Sequence, residues 1–324
     1  PLGSWRLGSD DDTAISVLEG LDQHSKQVTY AEGAPLTLEK ATFLYPVKVN
    51  ESDRSGFTQA VDLAKNSEVV IMVLGEHGFQ SGEGRSRTQL GLPGVQQELL
   101  EAVYAVNKKI ILVLMNGRPL ALPWAADNIP AIVEAWQLGS QSGNAIAEVL
   151  FGDYNPSGKL PMTFPRSVGQ VPIYYNPYST GRPNAIDMVF WSHYSDESNA
   201  PLYPFGYGLS YTQFAYSDLK IDASDKRAIK VSVKVTNTGN RAGEEVTQLY
   251  IRDKVGSVVR PIKELKGFEK YRLEAGASKT VVFTLTDQEL GFYDNQGQFI
   301  VEPGEFDVML GTSSQEGLSG SFVR

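Results

Sequence analysis

Apolar residues follow two rhythms along this chain, and the change of rhythm marks its organisation. From about Ala14 to Phe151, short apolar runs alternate with amphipathic stretches. The runs are Val69–Leu74, Lys109–Met115 (KIILVLM) and Ala131–Trp136 (AIVEAW). Unbroken runs of this length bounded by turn residues predict strands covered on both faces. Between them, Val95, Leu99, Leu100, Val103 and Val106 recur at helical spacing and predict a helix over Gly94–Val106. A second helix is expected over Ser142–Phe151, starting at a Ser cap and ending at Gly152, and a third includes Ala60–Ala64. Strands alternating with helices predict a mostly parallel α/β layer.

Beyond Phe214 the period falls to two. Ile229–Thr236 alternates strictly, residues 237–240 (NTGN) read as a turn, and Glu245–Ile251 alternates back. Thr280–Leu285, Phe299–Val301 and Phe306–Leu310 continue the pattern. Short strands at such intervals predict an antiparallel β-sandwich of the fibronectin type III or immunoglobulin kind. Residues 153–210 fit neither rhythm, being dense in Pro, Gly and Tyr. The expected organisation is therefore an α/β sandwich domain over 1–210, with an irregular linker at 153–210, and a fibronectin type III-like domain over 211–324. Long irregular connections are uncommon and usually functional. Tyr203, Phe205 and Tyr207 are expected to be buried within this one.

Composition limits the function classes. A chain of 324 residues can hold two full cores. Its formal charge of −9 argues against a nucleic-acid partner. No apolar run reaches the roughly 18 residues of a membrane span. With no Cys, thiolate catalysis and zinc–sulfur sites are excluded. The three His, at 24, 77 and 193, lack metal-ligand spacing, so neither a metal nor a cofactor is expected.

The candidate chemistry lies on the loop after Val69–Leu74, which carries Glu76, His77, Glu83, Arg85 and Arg87 before the next helix. Open α/β sheets bind ligands at the carboxyl ends of their strands. Glu83, between Gly82 and Gly84, reads either as a general acid/base or as a solvated surface carboxylate. Glu76, directly off the strand, competes for that role or anchors the loop by accepting backbone N–H bonds. His77 reads as a surface group or a sugar-hydroxyl contact. Arg85 and Arg87 could grip substrate or a carboxylate. Asp196 and Glu197 form a second acidic pair on an aromatic segment, where Trp191 could stack on a pyranose ring. Residues 152–159 (GDYNPSGK) superficially match a phosphate loop, but one residue too many separates the glycines and Leu160 replaces Ser or Thr. No GxSxG elbow supports serine hydrolase chemistry.

Taken in order, several stretches resemble the carboxyl-terminal half of a glycoside hydrolase family three β-glucosidase of the bacterial periplasmic type. They are GSW at residues 3–5, VLGEHGFQSGEGRSR, ILVLMNGRPLAL, the run from EAWQLGSQSGNAIAEVLFGDY to VPIYYN, LYPFGYGLSYT, VTNTGNRAGEEVTQLYI and RPIKELKGFEK. The resemblance implies a retaining enzyme acting on terminal β-D-glucosides or oligosaccharides. In it an amino-terminal TIM-type barrel of the same protein would supply an Asp nucleophile and most sugar contacts. This chain would supply the acid/base at Glu83, with His77, Arg85, Arg87 and Trp191 as substrate contacts. It further implies a barrel and a first α/β strand upstream of Pro1, inactivity of this chain alone, and a periplasmic or secreted location with the signal peptide outside this chain. Gln89 departs from the pattern, since relatives often carry Asp there. A non-catalytic carbohydrate-binding or scaffold module is the alternative, and a homodimer stays open.

Overall fold

Three parallel strands form the sheet of the chain's first half in a computed structural model that describes residues 1–6, 11–182 and 188–324. They are β1 (Val70–Gly75), β2 (Ile110–Met115) and β3 (Ala131–Glu134), in the order β1-β2-β3. Val70 stands beside Ile110 and Gly75 beside Met115, while Leu114 stands beside Glu134. This register brings the carboxyl ends of all three strands to one edge. Ile110, Leu112, Val113 and Leu114 are essentially inaccessible, as expected of the middle strand of a covered parallel sheet.

Helices cover the sheet: α1 (Val17–His24), α2 (Phe57–Lys65), α3 (Gln96–Val106), α4 (Pro123–Asn128) and α5 (Ser142–Phe151). α5 has the predicted span and ends at Gly152 in a left-handed conformation (φ 82°). Its expected cap differs. Gln141 occupies the cap position, Ser142 is the first helical residue, and the Ser142 hydroxyl is buried without a hydrogen-bond partner. The helix starts against α1, where a Cβ on Gly143 would lie 2.0 Å from the Ser16 carbonyl and one on Gly20 would lie 2.1 Å from the Gly143 carbonyl. That close backbone approach, not a side-chain cap, fixes its beginning. Beside β1 runs a cleft of about 1230 Å³, lined on one side by Val70–Val73 and on others by Val28, Thr29, Tyr30, Leu63 and Leu150. Among the described residues β1 pairs only with β2, so its outer edge borders this cleft.

The second half forms two antiparallel sheets around one apolar core. One contains β4 (Phe214–Asp222), β5 (Ile229–Asn237) and β8 (Ser278–Leu285) in that order. The other has the order β12-β11-β6-β7, built from β6 (Gly243–Asp253), β7 (Glu264–Leu273), β11 (Glu305–Gly311) and β12 (Gly317–Val323). A short helix α6 (Asp287–Leu290) and a hairpin of β9 (Phe292–Tyr293) with β10 (Phe299–Ile300) complete it. Strict alternation in β5 puts Ile229, Val231, Val233 and Val235 at 0% exposure, facing Leu249, Ile251, Phe306, Val308 and Leu310 across the core. This is the fibronectin type III-like sandwich that the period-two pattern predicts.

By their internal packing, Pro1–Tyr154 with Pro165–Val171 form one compact unit, and Asn155–Phe164 with Pro172–Arg324 form another. Within the second unit the Pro/Tyr-rich segment ties to itself and to the sandwich. Phe164 donates to the Tyr203 carbonyl at 2.9 Å, and Lys159 pairs with the buried Glu245 at 3.2 Å. The Lys159 ammonium is thus committed to a carboxylate. Tyr203 and Tyr207 stack at 5.5 Å, and Phe205 stacks on Tyr175 at 4.3 Å. These three rings are half-buried rather than fully so.

Candidate active site

The carboxyl edge of the parallel sheet collects polar groups from all three strands. Glu76 follows β1, Asn116 follows β2, and Glu134 ends β3. The turn out of β1 requires glycine. Gly75 has φ 136°, and a Cβ there would sit 2.2 Å from the Met115 carbonyl. The Gln96 side chain then holds both Gly75 backbone groups, accepting from its N–H and donating to its carbonyl, each at 2.8 Å. The start of the loop is thereby fixed to α3.

Glu76 has a fully buried carboxylate with two cationic partners. Arg87 reaches it at 2.7 Å and Arg118 Nε at 3.0 Å, while the Gly117 N–H donates to it at 3.3 Å. A buried charge with partners on all sides is a structural anchor. Arg87, one of the two loop arginines, is therefore taken up by a carboxylate of its own chain. Arg85 is likewise engaged. Its guanidinium donates to the carbonyls of Phe79 (2.7 Å), Glu83 (2.7 Å) and Phe43 (2.6 Å) and lies 4.8 Å from the Phe43 ring. It holds the backbone of Glu83, not the carboxylate. His77 caps the turn Gly78–Gln80, its ring Nδ1 accepting from the Phe79 N–H at 3.1 Å while Gln80 Oε1 accepts from the His77 N–H.

Glu83 stands apart from this framework. Its side chain is exposed, and the two flanking glycines have positive φ, 113° at Gly82 and 69° at Gly84. Gly82 packs on the turn Ser4–Arg6, where a Cβ would come within 2.3 Å of Ser4 Oγ and 3.8 Å of the Trp5 ring nitrogen. An exposed Trp ring thus lies next to the loop tip. A separate cavity of about 390 Å³ at the same sheet edge is lined by Glu76, His77 and Gln96, and Glu83 is not among its walls.

Other sequence candidates lie in the second unit. Trp191 is half-buried, and its carbonyl faces His193 Nδ1 at 2.8 Å. Asp196 is exposed, and the neighbouring Glu197 accepts from the Ser198 N–H at 2.7 Å. The sheet edge therefore brings together Glu76, His77, Glu83, Arg85 and Arg87, whereas these three belong to the other unit.

Two residues outside the sequence candidates complete the edge. Arg118, in a segment that reads as a plain turn, donates through one Nη to both the Gln80 and Arg85 carbonyls. Glu134 accepts from the Trp136 N–H at 3.0 Å and from Asn116 Nδ2 at 3.3 Å. Burial pushes its carboxyl up to about 7, with the Glu76 charge adding to the effect and the two hydrogen bonds opposing it. The signal for both was present in the sequence. Arg118 follows the run Lys109–Met115 by three residues, much as Glu76 follows its own run, and Glu134 is the one charged residue inside the run Ala131–Trp136.

The sequence model of the glycosyl hydrolase family 3 C-terminal domain matches residues 1–211, and that of a fibronectin type III-like domain matches residues 245–314. The chain belongs to glycoside hydrolase family 3. It is 44% identical to a periplasmic β-glucosidase of Salmonella typhimurium, over 99% of this chain and 44% of that protein. A β-xylosidase of Formosa agariphila is 42% identical over 93% of this chain and 40% of its own length. Among solved structures, a Listeria innocua β-glucosidase crystallised with isofagomine has a TM-score of 0.88 at 36% identity, covering 99% of this chain and 44% of that one. The family 3 chain described here thus spans less than half the length of these relatives. The α/β layer and the fibronectin-like sandwich are the family's carboxyl-terminal parts.

Proposed function

We propose that this chain is the carboxyl-terminal portion of a retaining, exo-acting β-glucosidase, in which Glu83 is the acid/base. The observation that carries the reading is the contrast between Glu83 and its neighbours. Glu76, Arg85 and Arg87 are all used inside the loop, leaving an exposed carboxylate at a tip whose base is braced. The named activities of the relatives supply the reaction class.

Retaining hydrolysis uses two carboxyl groups about 5–5.5 Å apart. In this reading the nucleophile is an Asp on an upstream barrel of the same protein. As that carboxylate bonds to the anomeric carbon, Glu83 gives its proton to the glycosidic oxygen, and the aglycone leaves as an alcohol. Glu83 then takes a proton from water, which displaces the enzyme carboxylate and releases the sugar with its configuration retained. The exposed Trp5 ring beside Gly82 offers an apolar face to the departing group, with His77 as a further contact. This chain alone would hold only one of the two carboxyl groups and would turn over poorly. The periplasmic relative supports a periplasmic or secreted location.

The test is made on the full-length protein with phenolic and alkyl β-glucosides, and with the matching β-xylosides, since relatives of both activities resemble it. Glu83→Gln should lower turnover of alkyl glycosides by roughly 10²–10⁴-fold and spare the first step of activated aryl glycosides. Added azide should restore release of the glycosyl-enzyme as a β-glycosyl azide. A Glu83→Gln protein with unchanged rates would remove Glu83 from catalysis and leave the carbohydrate-binding alternative.

A further inference from the structure

Glu83 can act as an acid only if the loop that carries it is held still, and one part of the hold comes from outside the loop. Arg118 lies in the turn after β2, 35 residues downstream of Glu83 (118 − 83). Its guanidinium has two separate attachments. Nε pairs with the buried Glu76 carboxylate at 3.0 Å, and one Nη donates to both the Gln80 and the Arg85 carbonyls. Gln80 and Arg85 bracket Glu83 on either side, so this single group closes the base of the loop. Arg118 is itself fixed from behind, because Asn116 Nδ2 donates to its carbonyl at 2.7 Å.

We propose that Arg118 is a positioning residue for Glu83, clamping the two ends of the acid/base loop to the buried Glu76. The inference rests on the reading of Glu83 as the acid/base. Only a guanidinium fits the task. It is planar, carries donors in a rigid fork and keeps its charge, whereas an ammonium is a point charge that cannot hold the same set of acceptors in one plane. Arg118→Lys would keep a cation near Glu76 while losing the bridge between the carbonyls. Proton transfer needs the carboxyl within about 2.6–3.2 Å of the leaving oxygen. A shift of ~1 Å in the placement of a reacting group costs on the order of 10²-fold.

The experiment compares wild-type full-length protein with Arg118→Lys, Glu83→Gln and the double variant on an alkyl and a 2,4-dinitrophenyl glycoside. Arg118→Lys is expected to lose roughly 10–100-fold in kcat/KM on the alkyl glycoside and less than about threefold on the dinitrophenyl one. In the Glu83→Gln background it should add no further loss on the alkyl substrate, because the group it positions is already gone. Equal losses on both aglycones, or a full additional loss in the double variant, would make Arg118 a general stability residue and overturn the inference. So would no loss at all. If Arg118→Lys fails to fold, Arg118→Ala is assayed with added guanidinium. Recovery confined to the alkyl glycoside supports the clamp, and absence of recovery overturns it. If Glu83→Gln itself shows no leaving-group dependence, the acid/base reading fails and the clamp with it. If Glu83→Gln shows that dependence and Arg118→Lys does not, the clamp alone falls.

Discussion

Asn116 Nδ2 donates to the Glu134 carboxylate at 3.3 Å, joining the ends of two neighbouring parallel strands just below the Glu83 loop. Glu134 Oε1 also accepts from the Trp136 N–H, which steadies a non-glycine residue at φ 47°. From there Gln137 reaches across to Ser81 Oγ at 3.1 Å, two residues before Glu83. The pair is thus linked to the candidate site through backbone geometry.

This pair predicts a pH dependence of stability. Burial raises the Glu134 carboxyl from 4.5 to about 7, so between these values the folded chain holds a proton that the unfolded chain has lost. Stability from this group is therefore complete below pH ~4.5 and falls as pH rises towards ~7, by about 3 kcal/mol in all. Urea unfolding at pH 5, 6 and 7.5 should show that loss superimposed on the other titrations, and Glu134→Gln should remove it. Equal pH slopes for the two proteins would contradict the assignment.

Glu76 anchors the loop instead through its ion pairs. Its carboxylate is fully buried between Arg87 and Arg118, and removing it leaves two cations without their partner. Glu76→Ala is expected to cost about 3–5 kcal/mol, read as a lowered denaturation midpoint. Glu76→Gln, which keeps one acceptor, should cost less. Neither should impose the leaving-group dependence expected of Glu83→Gln if Glu76 acts as an anchor. A stable Glu76→Ala protein would mean the two arginines find other partners.

Much of this arrangement was legible in the sequence because buried strands and alternating strands leave strong periodic signals. β5 and α5 lie where the pattern puts them. α1 was missed although Ser16 and Glu19 form a capping box, because it is eight residues long and buries only Val17, Gly20 and Leu21. β4 and β7 were missed for a different reason. β4 bulges between Ser217 and Lys220, with Asp218 at φ 54°, which breaks the period-two pattern. β7 buries only Tyr271 and Leu273 near its end. At the site, the strand-end rule found Glu76 and Glu83's loop. It could not tell that Arg87 and Arg118 share one carboxylate, since that depends on the turn after β2 meeting the loop after β1, about forty residues apart in sequence.

The outer edge of β1 should accept another strand. Among the described residues no strand pairs with that edge, which borders a cleft whose walls include Leu21, Leu63, Met72 and Val103. We propose that a strand from the upstream part of the full-length protein fills it. Apolar surface at an open strand edge invites association. A protein carrying that upstream segment should therefore melt several degrees higher than this chain and bind less of a hydrophobic dye. Identical melting and dye binding would show that the cleft is no strand site.

The two glycines flanking Glu83 separate loop geometry from simple backbone strain. Both have positive φ, so alanine is disfavoured at either. Gly84, however, has open space around its missing Cβ, whereas at Gly82 a Cβ would lie 2.3 Å from Ser4 Oγ. Gly84→Ala needs only a left-handed alanine, which costs about 1–2 kcal/mol of local strain and leaves neighbouring groups in place. Gly82→Ala adds a clash with Ser4 in the turn that carries Trp5, so either Ser4 or the loop must shift to relieve it. If Glu83 is the acid, Gly82→Ala in the full-length protein should lower kcat/KM on an alkyl glycoside by roughly tenfold or more while a dinitrophenyl glycoside changes little. Gly84→Ala should change both substrates only slightly. The comparison is informative because neither variant alters a titratable group. A larger effect at Gly84 than at Gly82, or no leaving-group dependence at Gly82, would show that contact with Ser4 does not set the position of Glu83.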